Sequence, residues 1–267
     1  MKNIVGVVTT TYPPYSLEEI AEGISKAGFK YIELTSAPAY FSHIKPDPEE
    51  MTKEDADKIL KLCSSYGLKV YCVAGHTRLM KENAVSNFKK VIDTVRLFGA
   101  NFATTDTGEV KTEEDQKRFY SDISEIADYA KSMDVTVCLE MHGNWFNTGK
   151  KGAEIIKEIN HPNVKLNYDT ANVMYYGGVK AEVDIEYALP HMGFMHLKER
   201  AGGVEEWNFP ALGEGNIDFR KIFDLVKDFN GPMSLEVEFD GKEHSLEETN
   251  EAVKKSYDFL KSFGYVE

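Results

Sequence analysis

Residues 134–144 read DVTVCLEMHGN, a β-branched run that ends on a carboxylate, an imidazole and an amide at alternate positions. Strand side chains alternate faces with period two, so Glu140, His142 and Asn144 share one side if the chain stays extended. Comparable runs recur at a spacing of about 30 residues, near 4–9, 30–35, 69–74, 101–105, 164–169, 192–197 and 232–238. Amphipathic stretches near 16–27, 53–66, 83–98, 113–132, 150–159, 183–189, 218–229 and 246–263 lie between them. Ser16 and Glu19 form a capping-box signature at the first of these, and Gly28, Gly67 and Gly99 read as stops. Strands alternating with helices are repeated βα units on a parallel sheet. No GxGxxG or GxxxxGK[ST] follows the first strand, where an open doubly wound sheet usually carries its phosphate loop. The expected fold is therefore α/β, a (β/α)8 TIM barrel forming a single domain over residues 1–267.

Composition agrees with such a barrel and narrows the partners. A length of 267 residues suits one closed α/β barrel, and hydrophobic and charged fractions of 42% and 28% are those of a soluble globular chain. The net charge of −13, from 44 acids against 31 bases, repels phosphate backbones and anionic membranes, so neither nucleic acid nor membrane is an expected partner. The amino-terminal apolar run is too short for a signal peptide and no stretch approaches a membrane span, which makes the cytoplasm the expected location. Cys63, Cys72 and Cys138 are odd in number and embedded in apolar patterns, and are expected to be reduced packing residues. A homo-oligomer is compatible with the sequence.

Enzymes on barrels build their sites at the carboxyl ends of the strands. Glu140 sits at such an end, and so do Asp169 in VKLNYDTAN, His196 in GFMHLKER and Glu236 in GPMSLEVEF, one on each of the last four strands. Three carboxylates and one imidazole converging on a barrel mouth would repel one another without a cation, and an oxygen-rich set with one nitrogen suits Mn2+ first, with Mg2+, Co2+ or Zn2+ as alternatives.

At these motifs the chain resembles the xylose isomerase-like TIM barrels, which include sugar epimerases of the tagatose 3-epimerase type, hydroxypyruvate isomerases, inosose dehydratases and endonuclease IV. The resemblance is carried by CLEMHGN, LNYDTAN, HLKER, PALGEGNIDFRKIFDLVKDFNGPMSLEVE and the early AGFKYIEL, and it spans nearly the whole chain. Carried over position by position, the family's metal ligands fall on Glu140, Asp169, His196 and Glu236. Glu238 shares a strand face with Glu236, and the offset from Gly231 favours Glu236 as the ligand. The resemblance also implies that the two metal-bound glutamates, Glu140 and Glu236, share the acid and base roles, and that Lys198 contacts substrate oxygen or stabilises developing negative charge. Many relatives carry His three residues after the strand-six Asp, whereas Asn172 stands there in this chain, which counts against a multi-metal nuclease.

The remaining candidates are expected around a substrate. His142, His76, Asn172, Arg200 and Trp145 are the expected substrate contacts, and Glu33 and His76 are candidates for supporting the ligands. Phe146, Tyr175 and Trp207 fall in the loops after strands five to seven, where aromatics can wall a sugar. LGEGNID lacks the preceding strand of a phosphate loop and reads as a turn before the helix that starts at Asp218. The leading functional expectation is a divalent-metal-dependent isomerase or epimerase acting on a small keto or aldo sugar through an enediolate. A metal-dependent lyase or dehydratase on a keto sugar or keto-inositol follows it, and a non-catalytic carbohydrate-binding subunit comes third.

Overall fold

A computed structural model describes residues 4–38, 42–45, 51–203 and 205–267. Eight strands close into one parallel barrel in sequence order: β1 Val5–Val8, β2 Tyr31–Thr35, β3 Lys69–Ala74, β4 Phe102–Thr105, β5 Thr136–Glu140, β6 Val164–Asp169, β7 Met192–Lys198 and β8 Met233–Glu236. β1 pairs with both β2 and β8, so no edge is left open. The connecting helices are α1 Leu17–Ala27, α2 Lys53–Ser65, α3 Ala84–Leu97, α4 Glu113–Ser132, α5 Gly149–Ile159, α6 Asn172–Tyr175, α7 Ala181–Ala188, α8 Phe219–Leu225 and α9 Leu246–Ser262.

Local chemistry explains where these elements begin and end. Ser16 caps α1 and is capped in return by Glu19, and Thr52, Thr112 and Ser245 start α2, α4 and α9 with the same reciprocal pair of bonds. Gly28 ends α1 with φ +115°, a conformation that a side chain would strain. Two departures from the sequence reading matter for the site. α6 is an additional helix of four residues, and β8 ends at Glu236 rather than running to Glu238.

Two separate apolar cores result. One lies between sheet and helices, where residues such as Ile20, Ile24, Phe88, Phe119, Ile155 and Leu260 are buried. The other is a small cluster of Tyr71, Cys72, Cys138 and Phe194, flanked by Ile4, Tyr31 and Phe102. Tyr71 and Phe194 stack with ring centroids 5.9 Å apart, and Phe102 meets Phe194 edge-on. Gly6 makes room for this packing, because a Cβ there would stand 2.6 Å from the Tyr71 ring. All three cysteines are free and buried, and no helix is long and apolar enough to cross a membrane among the described residues.

Candidate metal centre

The parallel barrel brings the carboxyl ends of its strands to one mouth, and four side chains meet there. Glu140 ends β5, Asp169 ends β6, His196 lies two residues before the end of β7, and Glu236 ends β8. One ligand atom from each lies within 4.8 Å of the others, and all four residues are buried. His196 Nδ1 stands 3.1 Å from Glu140 Oε2, 3.4 Å from Glu236 Oε2 and 4.0 Å from Asp169 Oδ2.

Each ligand is oriented by hydrogen bonds made through its other atoms. Asp169 Oδ1 accepts from the backbone N–H groups of Ala171 and Asn172 at 2.8 and 2.7 Å, which leaves Oδ2 directed to the centre. Glu236 Oε1 accepts from Thr10 Oγ1 at 3.1 Å. Glu140 accepts from Asn172 Nδ2 on Oε1 at 3.0 Å, and from Asn167 Nδ2 on Oε2 at 3.1 Å. His76 Nε2 lies 2.9 Å from the same Oε2. His196 directs Nε2 to Glu33 Oε2 at 3.3 Å. Asp169 Oδ2, Glu236 Oε2 and His196 Nδ1 are left buried without a well-aligned hydrogen-bond partner among the described residues. Buried polar atoms without partners are costly, and three that face one another across a carboxylate-rich space fit a cation.

The electrostatics carry the same signature. Burial drives the Asp169 carboxyl up to about 8; Lys198 opposes this, while Glu140 and Glu236 add to it. Burial also opposes ionisation of Glu140, yet the charges of His196 and His76 outweigh it and hold that carboxyl well below its ordinary range. Glu236 is held at about 2, because Lys198 and His196 overcome its burial. Burial disfavours a charged His196, but Glu140 and Glu33 keep its imidazole protonated well above the ordinary histidine range. In this set a proton on His196 and the charge of Lys198 supply the positive charge that a divalent ion would otherwise bring.

Above the four ligands opens a cavity of about 390 Å3, walled by Thr10, Pro13, Pro14, Tyr15, Ala37, Trp207 and Phe239 together with His76, Asp106, His142, Asn172 and Lys198. Lys198 is buried; its ammonium pairs with Glu238, stands 3.4 Å from Glu236 Oε2, and lies 4.8 Å from the centre of the Phe209 ring. Glu238, past the end of β8, is thus the counter-charge of Lys198 and is not one of the four converging residues. His142 faces the cavity with Nε2 3.0 Å from the Tyr176 hydroxyl. The chain turns at Gly143, φ +76°, so Asn144 leaves the shared face and is exposed.

Two expected substrate contacts are placed elsewhere. Trp145 packs edge-on against Phe119 and Tyr120, at 5.1 and 6.3 Å between ring centres, and is absent from the cavity wall. Arg200 donates through Nη2 to the Gly203 carbonyl at 2.6 Å and lies over the Tyr175 ring, also off the wall. Trp145 follows the turn at Gly143, φ +76°, so distance from the strand end in sequence no longer measures distance from the mouth there. Three contributors had not been singled out. Asn167 was legible, since it shares a strand face with Asp169 at period two. Thr10 and Asp106 follow β1 and β4 without a distinguishing pattern.

Comparison with known proteins agrees with this fold. The family model of the xylose isomerase-like TIM barrel matches residues 21–263. An L-ribulose 3-epimerase of Mesorhizobium japonicum is 26% identical over 79% of this chain and 71% of that protein. The L-ribulose 3-epimerase of Methylomonas sp. is 32% identical over 42% of this chain, a match that spans only 38% of that protein. An inosose dehydratase of Serratia proteamaculans is 30% identical over 48% of the chain and 50% of its own length. A solved structure of L-ribulose 3-epimerase superposes with a TM-score of 0.76 at 21% identity, over 98% of this chain and 94% of that one. The chain belongs to the xylose isomerase-like TIM barrel family.

Proposed function

We propose, on the premise of that family membership, that the protein is an epimerase or isomerase of small, unphosphorylated keto sugars that depends on one divalent ion, Mn2+ foremost. The observation that carries the reading is the convergence of Glu140, Asp169, His196 and Glu236, with buried ligand atoms that lack a well-aligned hydrogen bond among the described residues, at the floor of a cavity of about 390 Å3. An ion held by these four would polarise a substrate carbonyl and acidify the neighbouring C–H bond.

The chain's own residues supply the proton chemistry. Glu140 and Glu236 lie on β5 and β8, so that a sugar between them presents opposite faces to two carboxylates. One glutamate, as the carboxylate, removes the proton beside the carbonyl; the other, after taking up a proton from solvent, returns it to the resulting enediolate, inverting the carbon or shifting the carbonyl, and the first then releases its proton to solvent. His76, Asn167 and Asn172 hold Glu140 in place, and Thr10 holds Glu236. Lys198, kept protonated by Glu236 and Glu238 despite its burial, offers positive charge to an oxygen that gains electron density.

Wall charge supports an unphosphorylated substrate. Asp106, Glu140, Glu236, Glu238 and Glu243 face Lys198 and Lys242 there, and both lysines are already paired, Lys198 with glutamates and Lys242 with Asp240. A phosphate would have to displace a carboxylate to pair with either lysine. Pro13, Pro14, Tyr15 and Trp207 instead offer apolar surface to the C–H face of a sugar. The similarity to inosose dehydratases supports a second reading, elimination of water from a keto-inositol through the same proton removal.

NMR of Mn2+-loaded, then demetallated, reaction mixtures in D2O tests the proposal with L-ribulose, D-psicose, D-tagatose and a keto-inositol. Solvent deuterium entering the carbon beside the carbonyl, with an epimer or isomer as product, is the expected result. Loss of water from the keto-inositol alone would select the second reading, and no exchange with any of them would overturn both.

A further inference from the structure

Glu33 is a carboxylate with no exposure at all, inside the barrel on β2, at a level where barrels are normally filled by branched apolar side chains. Four donors from four other strands reach it. Thr104 Oγ1 on β4 donates to Oε1 at 2.6 Å and Cys72 Sγ on β3 to the same oxygen at 3.2 Å. Ser234 Oγ on β8 donates to Oε2, and His196 Nε2 on β7 lies 3.3 Å from that oxygen. Both Glu33 oxygens are thus placed as acceptors, Oε1 of Thr104 and Cys72 and Oε2 of Ser234, so the His196 nitrogen facing Oε2 is the donor and carries the hydrogen. The other nitrogen, Nδ1, is the one directed at Glu140, Asp169 and Glu236.

We infer that Glu33 is the positioning residue of the metal centre: its carboxylate fixes His196 with the proton on Nε2, so that Nδ1 is the ligating atom. This rests on the metal reading proposed above. Imidazole can offer either nitrogen, and the choice is set by the bond the other one makes. Thr104, Ser234 and Cys72 hold Glu33 from the remaining sides, and Tyr71 in turn bonds Ser234, so the carboxylate has no room to rotate away. Lengthwise order in the barrel follows: aromatic plug, Glu33, His196, metal site.

The experiment uses the full chain labelled with 15N-histidine and loaded with 113Cd2+ as the probe ion. The expected result is one-bond 113Cd–15N coupling to His196 Nδ1 with Nε2 protonated, and coupling to Nε2 would overturn the inference. Glu33→Gln, in which an amide can also donate to Nε2 and so allow the opposite tautomer, is expected to bind Mn2+ about 10–100-fold more weakly. Thr104→Val removes a hydroxyl but leaves the carboxylate on His196, and should keep the Nδ1 coupling. Wild-type affinity and coupling in a folded Glu33→Gln would defeat the idea. If that variant fails to fold, the wild-type coupling pattern decides alone. A wild-type protein that takes up no cation overturns the metal reading itself, an outcome distinct from cation bound through Nε2.

Discussion

The two halves of the barrel interior are built from the same strands yet obey opposite rules. Toward the amino ends of the strands, Tyr71, Phe194 and Phe102 close the barrel with stacked and edge-on rings, and the Tyr71 hydroxyl that enters is satisfied by Met233 O and Ser234. Toward the carboxyl ends, Glu140, Asp169, His196 and Glu236 crowd together, with buried ligand atoms left without a well-aligned hydrogen bond among the described residues. On β7 the change takes two residues, from Phe194 to His196, whose rings lie 5.7 Å apart. The lower half lowers the free energy of the fold, and the upper half keeps polar groups poised for something that is not protein.

This contrast breaks if mouth variants cost stability and plug variants cost chemistry. The largest effect is expected from Glu140→Gln and Glu236→Gln, because an amide accepts no proton. Each should lower deuterium exchange into the ketose by about 10²–10⁴-fold or beyond detection, with thermal unfolding near that of the wild type in the absence of metal. Near wild-type exchange in either variant would remove that glutamate from the proton chemistry. Phe194→Ala should do the reverse: a deleted buried aromatic in the plug costs about 3–5 kcal/mol in urea unfolding. Metal stoichiometry in the variant should stay at that of the wild type, and loss of the ion with stability unchanged would place Phe194 in the site instead.

Lys198 belongs to the upper half, at the carboxyl end of β7, and its variant sharpens the picture. Lys198→Met leaves all four converging ligands in place, so Mn2+ uptake should persist by titration calorimetry. Deuterium exchange should nevertheless slow by on the order of 10²-fold, the usual cost of losing one stabilising contact to developing charge. A variant that binds sugar poorly but exchanges at the wild-type maximal rate would recast Lys198 as a binding residue.

The contrast also accounts for what could be read from the chain. All eight strands were legible within about two residues at each end, because branched runs, capping boxes and left-handed glycines act locally, whatever the rest of the barrel does. The converging four were legible because each ends or nearly ends a strand, a position at which barrel topology converts sequence into space. The four residues of α6 span barely one helical turn, too short to show a period. The bonds of Glu33 escaped as well: Cys72, Thr104, His196 and Ser234 are separated from it by 39, 71, 163 and 201 positions, and no spacing rule links them. Past the strand ends, backbone turns such as that at Gly143 cancel the alternation on which Asn144 was read, and they carry the loop aromatic Trp145 away from the mouth.

Trp145 supplies the smallest expected effect and the finest test of that boundary. Its ring belongs to neither half of the barrel interior: it meets Phe119 and Tyr120 on α4, outside the sheet, and takes no part in the cavity wall. A phenylalanine there would keep an edge-on partner for Phe119 while giving up ring area. Trp145→Phe should therefore cost about 1 kcal/mol of stability, the order of one aromatic pair beyond its burial, and leave both the maximal rate and the sugar concentration at half-maximal rate unchanged. Urea unfolding and steady-state deuterium exchange measure the two sides separately. A rise in the half-saturating sugar concentration at unchanged stability would return this ring to the substrate wall, and with it the loop after β5.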